Sequence, residues 1–269
     1  MDDGPVYQVR DGAHAVEPVP PVVSLHVWGV PPARVPQALL HMGGDRRLLR
    51  RTAGLRFAKL LGTGSGRTFT IRDADPRHWA LLAVWDDEGG PARFEHSAVV
   101  DGWDHLAHER ARFLLRPLAS RGSWAGRQPF GDPVASRWDG PVAAVTRARI
   151  RTGLLPTFWR SVPPVSTDLR AVDGLAFALG IGEAPVALQG TFSVWRDNAA
   201  LTDFAHRRAP HRAVMERTAQ VQWYAEELFA RFALVSAVGE FGGEPVLTGR
   251  AGGTGRSAPV DGAGGAAIG

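Results

Sequence analysis

Hydrophobic and polar positions alternate along this chain with two periods, one of two residues and one of about 3.6, and the same succession occurs twice. The first half predicts a strand at Val22–Trp28, a helix at Ala33–Arg51, strands at Gly54–Gly62 and His78–Trp85, a helix at Pro91–Glu109 and a strand at Ala111–Ala119. The second half predicts a strand at Val142–Ile150, a helix near Leu155–Ala171, strands at Gly174–Gly182 and Val186–Trp195, a long helix at Ala199–Leu228 and a strand at Ala230–Val238.

Four short segments of the first half return in the same order about 120 residues later, which indicates an internal duplication. The pairs are GLRFAKLLGTG with GLAFALGIGE, LLAVWDD with TFSVWRDN, FEH with FAH, and ARF with ARF. Each half therefore predicts a βαββαβ unit, the ferredoxin-like motif. Because both helices of such a unit lie on one face, its other face needs cover. We predict an α+β fold, in which tandem ferredoxin-like repeats pack sheet against sheet as an intramolecular dimeric α+β barrel.

The duplication also predicts the domain organisation. We expect a disordered N-terminal segment at 1–21, a first repeat at 22–124, a linker rich in proline and glycine at 125–141, and a second repeat at 142–247. The tail at 248–269 has almost nothing to bury and is expected to be disordered.

Composition excludes several classes of protein. The chain has 269 residues and no cysteine, so disulfides, thiolate metal sites and cysteine nucleophiles are absent. The net charge of +4 comes from scattered arginines, since Lys59 is the only lysine, and scattered charge disfavours nucleic acid as a partner. The N-terminus lacks the basic and apolar parts of a signal peptide, and no apolar run reaches the roughly 18 residues of a membrane span. We therefore expect a cytoplasmic protein.

Two motifs suggest ligands but fit them poorly. GTGSGRT at Gly62–Thr68 has arginine where a phosphate loop needs lysine, and a strand instead of a helix is predicted next, so we interpret it as the connection between the second and third predicted strands. DGWDHLAHE at Asp101–Glu109 spaces acids and histidines four apart on a predicted helix, which could chelate a divalent metal. A solvated charged face explains that pattern better. No G-x-S-x-G elbow indicates a hydrolase.

The segment FAHRRAPHRAVMERT places two histidines around a proline. Pro210 suits the first turn of a helix, which puts His211 in that turn and on its apolar stripe. The other members of the stripe are Val214, Thr218, Val221, Ala225 and Leu228. A helix N-terminus and burial both favour a neutral imidazole, the form that binds iron or zinc. A core histidine explains the same position, so the residues alone leave the role of His211 open. His206 has a counterpart in His96, which indicates a scaffold position.

Several longer segments together resemble one known family. They are GLRFAKLLGTGSGRTF, WALLAVWDD and RGSWAGRQPF in the first half, with TFSVWRD, PHRAV and WYAEELFARF in the second. Over roughly Val22 to Phe241 the chain resembles the spheroidene monooxygenase family of carotenoid biosynthesis. The glycine-rich hairpin after Lys59 and the W-x-x-E-x-x-x-A-R-F pattern at Trp223–Phe232 are the more specific parts. The resemblance implies an oxygen-dependent monooxygenase, a ketolase acting at an activated C–H of a carotenoid such as spheroidene, with haem b iron and a ferredoxin-type electron donor.

The resemblance also implies site residues, because it places the chain near haem-binding dimeric α+β barrels whose proximal histidine projects from a helix of the C-terminal half. By position, His211 would be the iron ligand, Arg212 would pair with a haem propionate, and Lys59 would act as a catalytic cation beside bound oxygen. A chain without cysteine or a nucleotide loop is consistent with a histidine-ligated haem.

The expected partners are an apolar small-molecule substrate and a ferredoxin-type reductase system, without nucleic acid. Peripheral membrane association through the substrate stays open, as do the monomeric and homodimeric states. Two alternatives to the ketolase are a haem-dependent enzyme similar to aldoxime dehydratase, which needs no external electrons, and a non-catalytic barrel that binds haem or another small molecule.

Overall fold

The computed structural model describes residues 21–64, 73–134, 136–150, 173–183, 190–207 and 224–247. The strands in these ranges are β1 Val22–Gly29, β2 Leu55–Gly64, β3 Ala74–Trp85, β4 Glu109–Gly122, β5 Val142–Ile150, β6 Leu175–Gly182, β7 Gly190–Trp195, β8 Tyr224–Phe241 and β9 Glu244–Pro245. The α-helices are α1 Val35–Leu49, α2 Gly90–Phe94, α3 Ala98–Leu106 and α4 Asn198–Arg207. The predicted helix near Leu155–Ala171 and the predicted disordered tail lie outside the described residues, as does the N-terminal segment before Pro21.

Eight of these strands close into a barrel. Their order is β4-β1-β3-β2-β6-β7-β5-β8, and β8 pairs back with β4. The first repeat supplies β1 to β4 and the second supplies β5 to β8, and the two join edge to edge through the antiparallel pairs β2–β6 and β4–β8. The predicted fold class, tandem ferredoxin-like repeats in an intramolecular α+β barrel, is confirmed. The domain boundaries stay predictions.

The two repeats share local structure at the positions that the sequence matched. The matched residues are Trp85 with Trp195, Phe94 with Phe204, and Gly54 with Gly174. In each repeat the tryptophan and phenylalanine rings lie 5.0 Å apart, centroid to centroid. Both glycines have positive φ, 72° and 90°, a backbone conformation that favours glycine. These three matches therefore mark structurally equivalent positions.

The largest hydrophobic core fills the barrel. Alternate residues of each strand point inward, and many of them are aromatic. Phe113, for example, lies 5.1 Å from Phe177 and 5.0 Å from Phe192, centroid to centroid. A second core lies outside the barrel, between the sheet of the first repeat and α1 to α3. Its four fully buried tryptophans are Trp28, Trp79, Trp85 and Trp103.

The helix predicted over Pro91–Glu109 is wrong in its extent. The structure has two helices here, α2 and α3, separated by a turn. Ser97 starts α3 because its hydroxyl accepts a hydrogen bond from the backbone N–H of Val100 at 3.3 Å. Glu109 is the first residue of β4.

The long helix predicted over Ala199–Leu228 is wrong at its end. Helix α4 ends at Arg207, residues 208–223 lie outside the described part, and β8 begins at Tyr224. Two members of the predicted apolar stripe, Ala225 and Leu228, therefore lie on a strand. The helical pattern was misleading because one inward position of β8 is Glu226, whose charge hides the alternation.

The fourth sequence match, ARF with ARF, is out of register by two residues. Leu25 of β1 pairs with Phe113, whereas the equivalent Val145 of β5 pairs with Ala230. Phe113 is therefore equivalent to Ala230 and not to Phe232. A shift of two keeps every inward residue inward, so the match reflects the shared alternation of the two strands.

Strands β4 and β8 each pair with a strand of their own repeat and with each other. They end in tight turns at opposite ends of the barrel. After β4, the backbones of Trp124 and Arg127 exchange two hydrogen bonds, of 2.8 and 3.2 Å. After β8, Phe241 pairs with Glu244. GSWAGRQPF and GEFGGEPVL are thus equivalent segments. Phe130, within the range predicted as a linker, is fully buried in the barrel core.

Within the described residues, no helix is both long and apolar enough to cross a membrane.

Candidate functional site

One of the three predicted site residues lies in the described part of the chain. His211 and Arg212 lie outside it, so their roles stay predictions. Lys59 lies on β2 and shares the inward face with Phe57. Its Nζ donates to a carboxylate oxygen of Glu183 at 2.6 Å, and its side chain is 20% exposed. Lys59 is therefore held in an ion pair at the inner wall of the barrel.

Lys59 belongs to a group of polar side chains that we call the barrel-end cluster. Its members are Lys59, Trp124, Arg147, Glu183 and Glu226. Arg147 is only 4% exposed, and its two terminal nitrogens donate to Glu226 and Glu183 at 2.6 Å each. The indole N–H of Trp124 donates to Glu183 at 2.8 Å. Two cations thus face two carboxylates, and this pairing compensates the cost of burying charge.

Both carboxylates of the barrel-end cluster stay ionised. Desolvation is the largest influence on the pKa of Glu226 and raises it, but hydrogen bonds from the Gly126 N–H and from Arg147 outweigh it and lower the pKa to about 2. Desolvation likewise raises the pKa of Glu183, while hydrogen bonds from Lys59 and Trp124 lower it, and the net shift is downward. A general acid or base works best with a pKa near the operating pH. The cluster is therefore suited to holding the barrel together and not to exchanging protons.

The opposite end of the barrel holds a second polar group. His78 bridges two carboxylates, with Nδ1 at 2.6 Å from Asp75 and Nε2 at 2.5 Å from Glu109. Glu109 also accepts the N–H of Gly243 at 2.9 Å, and the ring of Phe241 lies 4.5 Å from the imidazole. Burial, the largest influence, lowers the pKa of His78, but the two carboxylates raise it by more. A protonated His78 therefore joins β3 to β4.

The metal-chelating spacing on DGWDHLAHE does not produce a metal site. Helix α3 ends at Leu106, so Glu109 is no longer on the helix with His105. His105 Nδ1 lies 2.7 Å from the backbone oxygen of Asp101, and Asp104 accepts the indole N–H of Trp28 at 2.7 Å. In the ranges that the structure describes, no group of three or more acids and histidines could hold a metal ion.

The outer faces of the two half-sheets differ sharply. We call the side of the first half-sheet that faces α1 to α3 the first outer face, and the equivalent side of the second half-sheet the second outer face. Strand registers relate their residues, and the equivalent pairs are His26 and Thr146, Trp28 and Ala148, Leu60 and Gly180, and Leu81 and Thr191. At all four positions a large side chain of the first repeat corresponds to a small one of the second.

The first outer face is filled by its own side chains. His26, Trp28 and Leu81 are each 0% exposed. The ring of Trp28 stacks between His26 and Trp103, with centroids 5.3 Å from each. The pKa of His26 is lowered, first by desolvation, so the ring is a neutral part of this core. Among the described residues, the protein's own side chains occupy this face.

The second outer face carries small residues at the four equivalent positions. Thr146, Ala148 and Thr191 are partly exposed, although their equivalents are fully buried. At Gly180 the sheet carries no side chain where the first repeat has Leu60. A flat group could therefore lie against β5 to β7 where aromatic rings lie against β1 and β3. This face and the barrel-end cluster lie on opposite sides of the same strands, since Arg147 points inward between Thr146 and Ala148.

Sequence reasoning missed most of the barrel-end cluster, although signals for it exist. In VAAVTRARI the inward positions are Ala143, Val145 and Arg147, so an arginine continues an apolar alternation. A charge at such a position needs a buried partner. Glu226 is the glutamate of the W-x-x-E-x-x-x-A-R-F pattern, but its position falls in the range predicted as a helix.

Comparison with known proteins finds relatives that share a single name. A spheroidene monooxygenase of Rhodobacter capsulatus is 35% identical over 231 residues, which cover 84% of this chain and 95% of that protein. One of Rubrivivax gelatinosus is 36% identical, covering 71% and 73% of the two chains. One of Cereibacter sphaeroides is 33% identical, covering 70% of this chain and 59% of that longer protein. No family model matches the chain.

Solved structures support the fold. A crystal structure of an aldoxime dehydratase has a TM-score of 0.51 at 14% identity, covering 81% of this chain and 82% of that one. A second aldoxime dehydratase, in complex with butyraldoxime, has a TM-score of 0.50 at 11% identity, covering 81% and 80%. At such low identity these similarities concern the fold alone.

Proposed function

Because the chain belongs to the spheroidene monooxygenase family, we propose that it is a haem-dependent ketolase acting on a carotenoid with a spheroidene-like C–H bond. Membership of this family makes the chain an oxygen-using oxidoreductase, a carotenoid monooxygenase. The haem, its ligand and the electron donor are the proposed parts.

The observation that carries the haem proposal is the difference between the two outer faces. A haem is flat and needs a broad surface without protruding side chains. The second outer face offers this surface, because Thr146, Ala148, Gly180 and Thr191 replace the large residues of the first repeat. The small residues of this face therefore fit the group, whereas the large buried side chains of the first outer face do not.

In this proposal the protein holds and shields the cofactor and the substrate. A haem iron supplies oxygen activation, which no side chain can perform. His211, in the second repeat, would bind the iron, and Arg212 would pair with a propionate through its planar guanidinium. The hydroxyls of Thr146 and Thr191 would be the polar groups on the sheet side of the haem.

The overall reaction determines how many oxygen molecules, electrons and protons must be supplied. Each insertion places one atom of O₂ in a C–H bond and releases the other as water, which consumes two electrons and two protons. A second insertion at the same carbon gives a geminal diol, and loss of water leaves the ketone. A ferredoxin-type reductase system is the proposed source of electrons.

Lys59 makes a structural contact besides the catalytic role predicted for it. Its ammonium pairs with Glu183 on the inner side of the sheet, away from the second outer face. We propose that Lys59 supports β6 from inside the barrel, and its predicted catalytic role stays a prediction.

Haem titration followed by a labelled-oxygen assay tests the proposal. The purified protein is titrated with haemin, and the Soret band is recorded for the wild type, for His211→Ala and for the control His206→Ala. We expect loss of the band only in His211→Ala. With spheroidene, ¹⁸O₂, ferredoxin and its reductase, we expect ¹⁸O in a ketone product.

The outcomes separate the proposed parts. No Soret band in the wild type overturns the haem proposal, and a band that survives His211→Ala overturns the ligand. Unlabelled or absent ketone overturns the ketolase. Dehydration of an aldoxime without an electron donor would instead favour the dehydratase alternative.

A further inference from the structure

Helix α1 exposes a surface that the described part of the protein leaves uncovered. We call it the α1 outer face, and its exposed members are Pro36, Leu39, Leu40, Gly43, Gly44, Arg46, Arg47, Leu48, Arg50 and Arg51. The opposite side of α1 is buried through Ala38, Met42, Asp45 and Leu49. Leu40 is 74% exposed, and Leu39 and Leu48 on its two flanks are 46% and 44% exposed. A soluble helix normally keeps such residues on its buried side.

The same face carries uncompensated positive charge. Among the described residues, none forms an ion pair with Arg46, Arg47, Arg50 or Arg51. Several exposed arginines elsewhere have acidic partners, as Arg116 does in Glu88 at 3.0 Å, although Arg34, Arg127 and Arg149 have none among the described residues. Basic residues in the last turn favour the helix dipole, which accounts for part of this set. The dipole does not account for leucines beside them.

Two adjacent glycines lie in the middle of the α1 outer face. A glycine inside a helix costs about 1 kcal/mol relative to alanine, so it usually has a packing reason. Apart from chain neighbours and the backbone of α1 itself, no atom lies within 4 Å of where a Cβ would stand at Gly43 or Gly44. No intramolecular contact therefore requires them. They leave a flat area between Leu40 and Arg47, which point in the same direction at positions i and i+7.

We propose that the α1 outer face docks the protein on an anionic lipid surface. The leucines would enter the boundary between headgroups and acyl chains, and the arginines would bind lipid phosphates. The exposed leucines lie on both flanks of the helix and do not form a groove. Such a face fits a lipid surface better than a single protein segment. The inference rests on the proposed function in one respect, because a carotenoid dissolves in lipid and its enzyme must collect it there.

Vesicle sedimentation without carotenoid tests the docking surface. The probes are vesicles of phosphatidylcholine alone and of phosphatidylcholine with phosphatidylglycerol. We expect the full-length protein to bind only the anionic vesicles, and less tightly as salt increases. Replacing all four arginines by glutamine should weaken binding by more than 100-fold, at about 5-fold for each charge. Leu40→Ser should weaken it by about 10-fold.

The controls use exposed residues away from α1. Arg116→Gln and Val134→Ser should bind like the wild type, and Val134 is 88% exposed. Thermal unfolding of each variant shows whether it folds. Failure of the wild type to bind anionic vesicles overturns the proposal, as does normal binding by the arginine or Leu40 variants.

A second measurement separates this proposal from the ketolase. Oxygenation of carotenoid in detergent micelles should survive the α1 substitutions, because micelles present the substrate without a membrane. Variants that bind vesicles normally but no longer accept electrons in micelles would instead assign the face to an acidic protein and overturn lipid docking. A wild type that binds vesicles but forms no ketone leaves the docking surface standing and overturns the function.

Discussion

Glu109 and Glu226 occupy equivalent positions at opposite ends of one barrel. Each lies near the start of the last strand of its repeat and faces inward. Each accepts a backbone N–H from a glycine in the turn that ends the other long strand, Gly243 at 2.9 Å for Glu109 and Gly126 at 2.7 Å for Glu226. The two repeats thus close the two ends of the barrel with the same hydrogen bond, from a glycine N–H to a glutamate. Its partner differs between the ends, since Glu109 binds His78 and Glu226 binds Arg147.

Gly122 and Gly239, which lie at the two ends of the β4–β8 pairing, should not tolerate a side chain. Gly122 and Gly239 have φ of 92° and 97°, and a Cβ there would collide with the carbonyl oxygens of Glu227 and Arg110. We expect Gly122→Ala and Gly239→Ala each to cost about 2–4 kcal/mol of unfolding free energy, from backbone strain and overpacking. Urea denaturation measures this.

Gly126→Ala is the matched control for that experiment. Its φ is 69°, but nothing lies within 4 Å of the added Cβ. It should cost about 1–2 kcal/mol, from backbone strain alone. Equal losses at Gly122 and Gly126 would contradict the close approach of the backbones.

The barrel-end cluster should behave as one unit in stability measurements. Arg147→Met leaves Glu226 without its cation and Glu183 with Lys59 alone, and we expect a loss of about 3–5 kcal/mol. Arg147→Met combined with Glu226→Gln should lose less than the sum of the single changes, because neither buried charge is then left alone. Urea denaturation of the four proteins in the cycle measures the coupling. Additive losses would argue against the pairing.

The contribution of His78 to stability should disappear at high pH. Its pKa is raised in the folded protein, so protonated His78 stabilises the fold fully below about pH 6.5, and the effect is lost as the pH rises through the folded pKa. His78→Asn should therefore cost more unfolding free energy at pH 6 than at pH 9. Urea denaturation at both pH values tests this, and an equal cost at both would show that His78 acts through packing alone.

Filling the second outer face should abolish cofactor binding without unfolding the protein. Gly180→Leu installs the side chain that the first repeat has at Leu60, on the surface where we propose the haem. We expect a loss of haemin affinity of more than 10-fold, with a much smaller loss for Gly180→Ala. Soret titration and thermal unfolding measure the two effects. Unchanged haemin affinity in a folded Gly180→Leu would place the haem elsewhere.

Much of the fold could be predicted because it depends on local patterns. Period-two alternation identified strands such as Val142–Ile150 at their observed bounds. The recurring tryptophan of LLAVW and TFSVW located equivalent positions in both repeats, because each packs on the phenylalanine of the following helix. The duplication itself then implied the barrel, since two half-covered sheets cover each other.

The polar parts of the molecule could not be predicted in the same way. In a sequence pattern, a charged residue is predicted to face solvent. Arg147 and Glu226 nevertheless point inward, and they form an ion pair although they are 79 residues apart in the chain. For the same reason, the first residues of β8 were predicted to be the end of a helix.

By itself, the sequence determined the elements, their duplication and the faces that most apolar residues take, because these follow from side-chain spacing along one segment. Only the tertiary structure decided which charges are paired, since closure of the barrel brings Lys59, Glu183 and Arg147 together from three strand regions. It also decided that the two outer faces differ. Thr146, Ala148 and Gly180 are unremarkable in sequence, and they become one surface only when β5 and β6 are joined through β7.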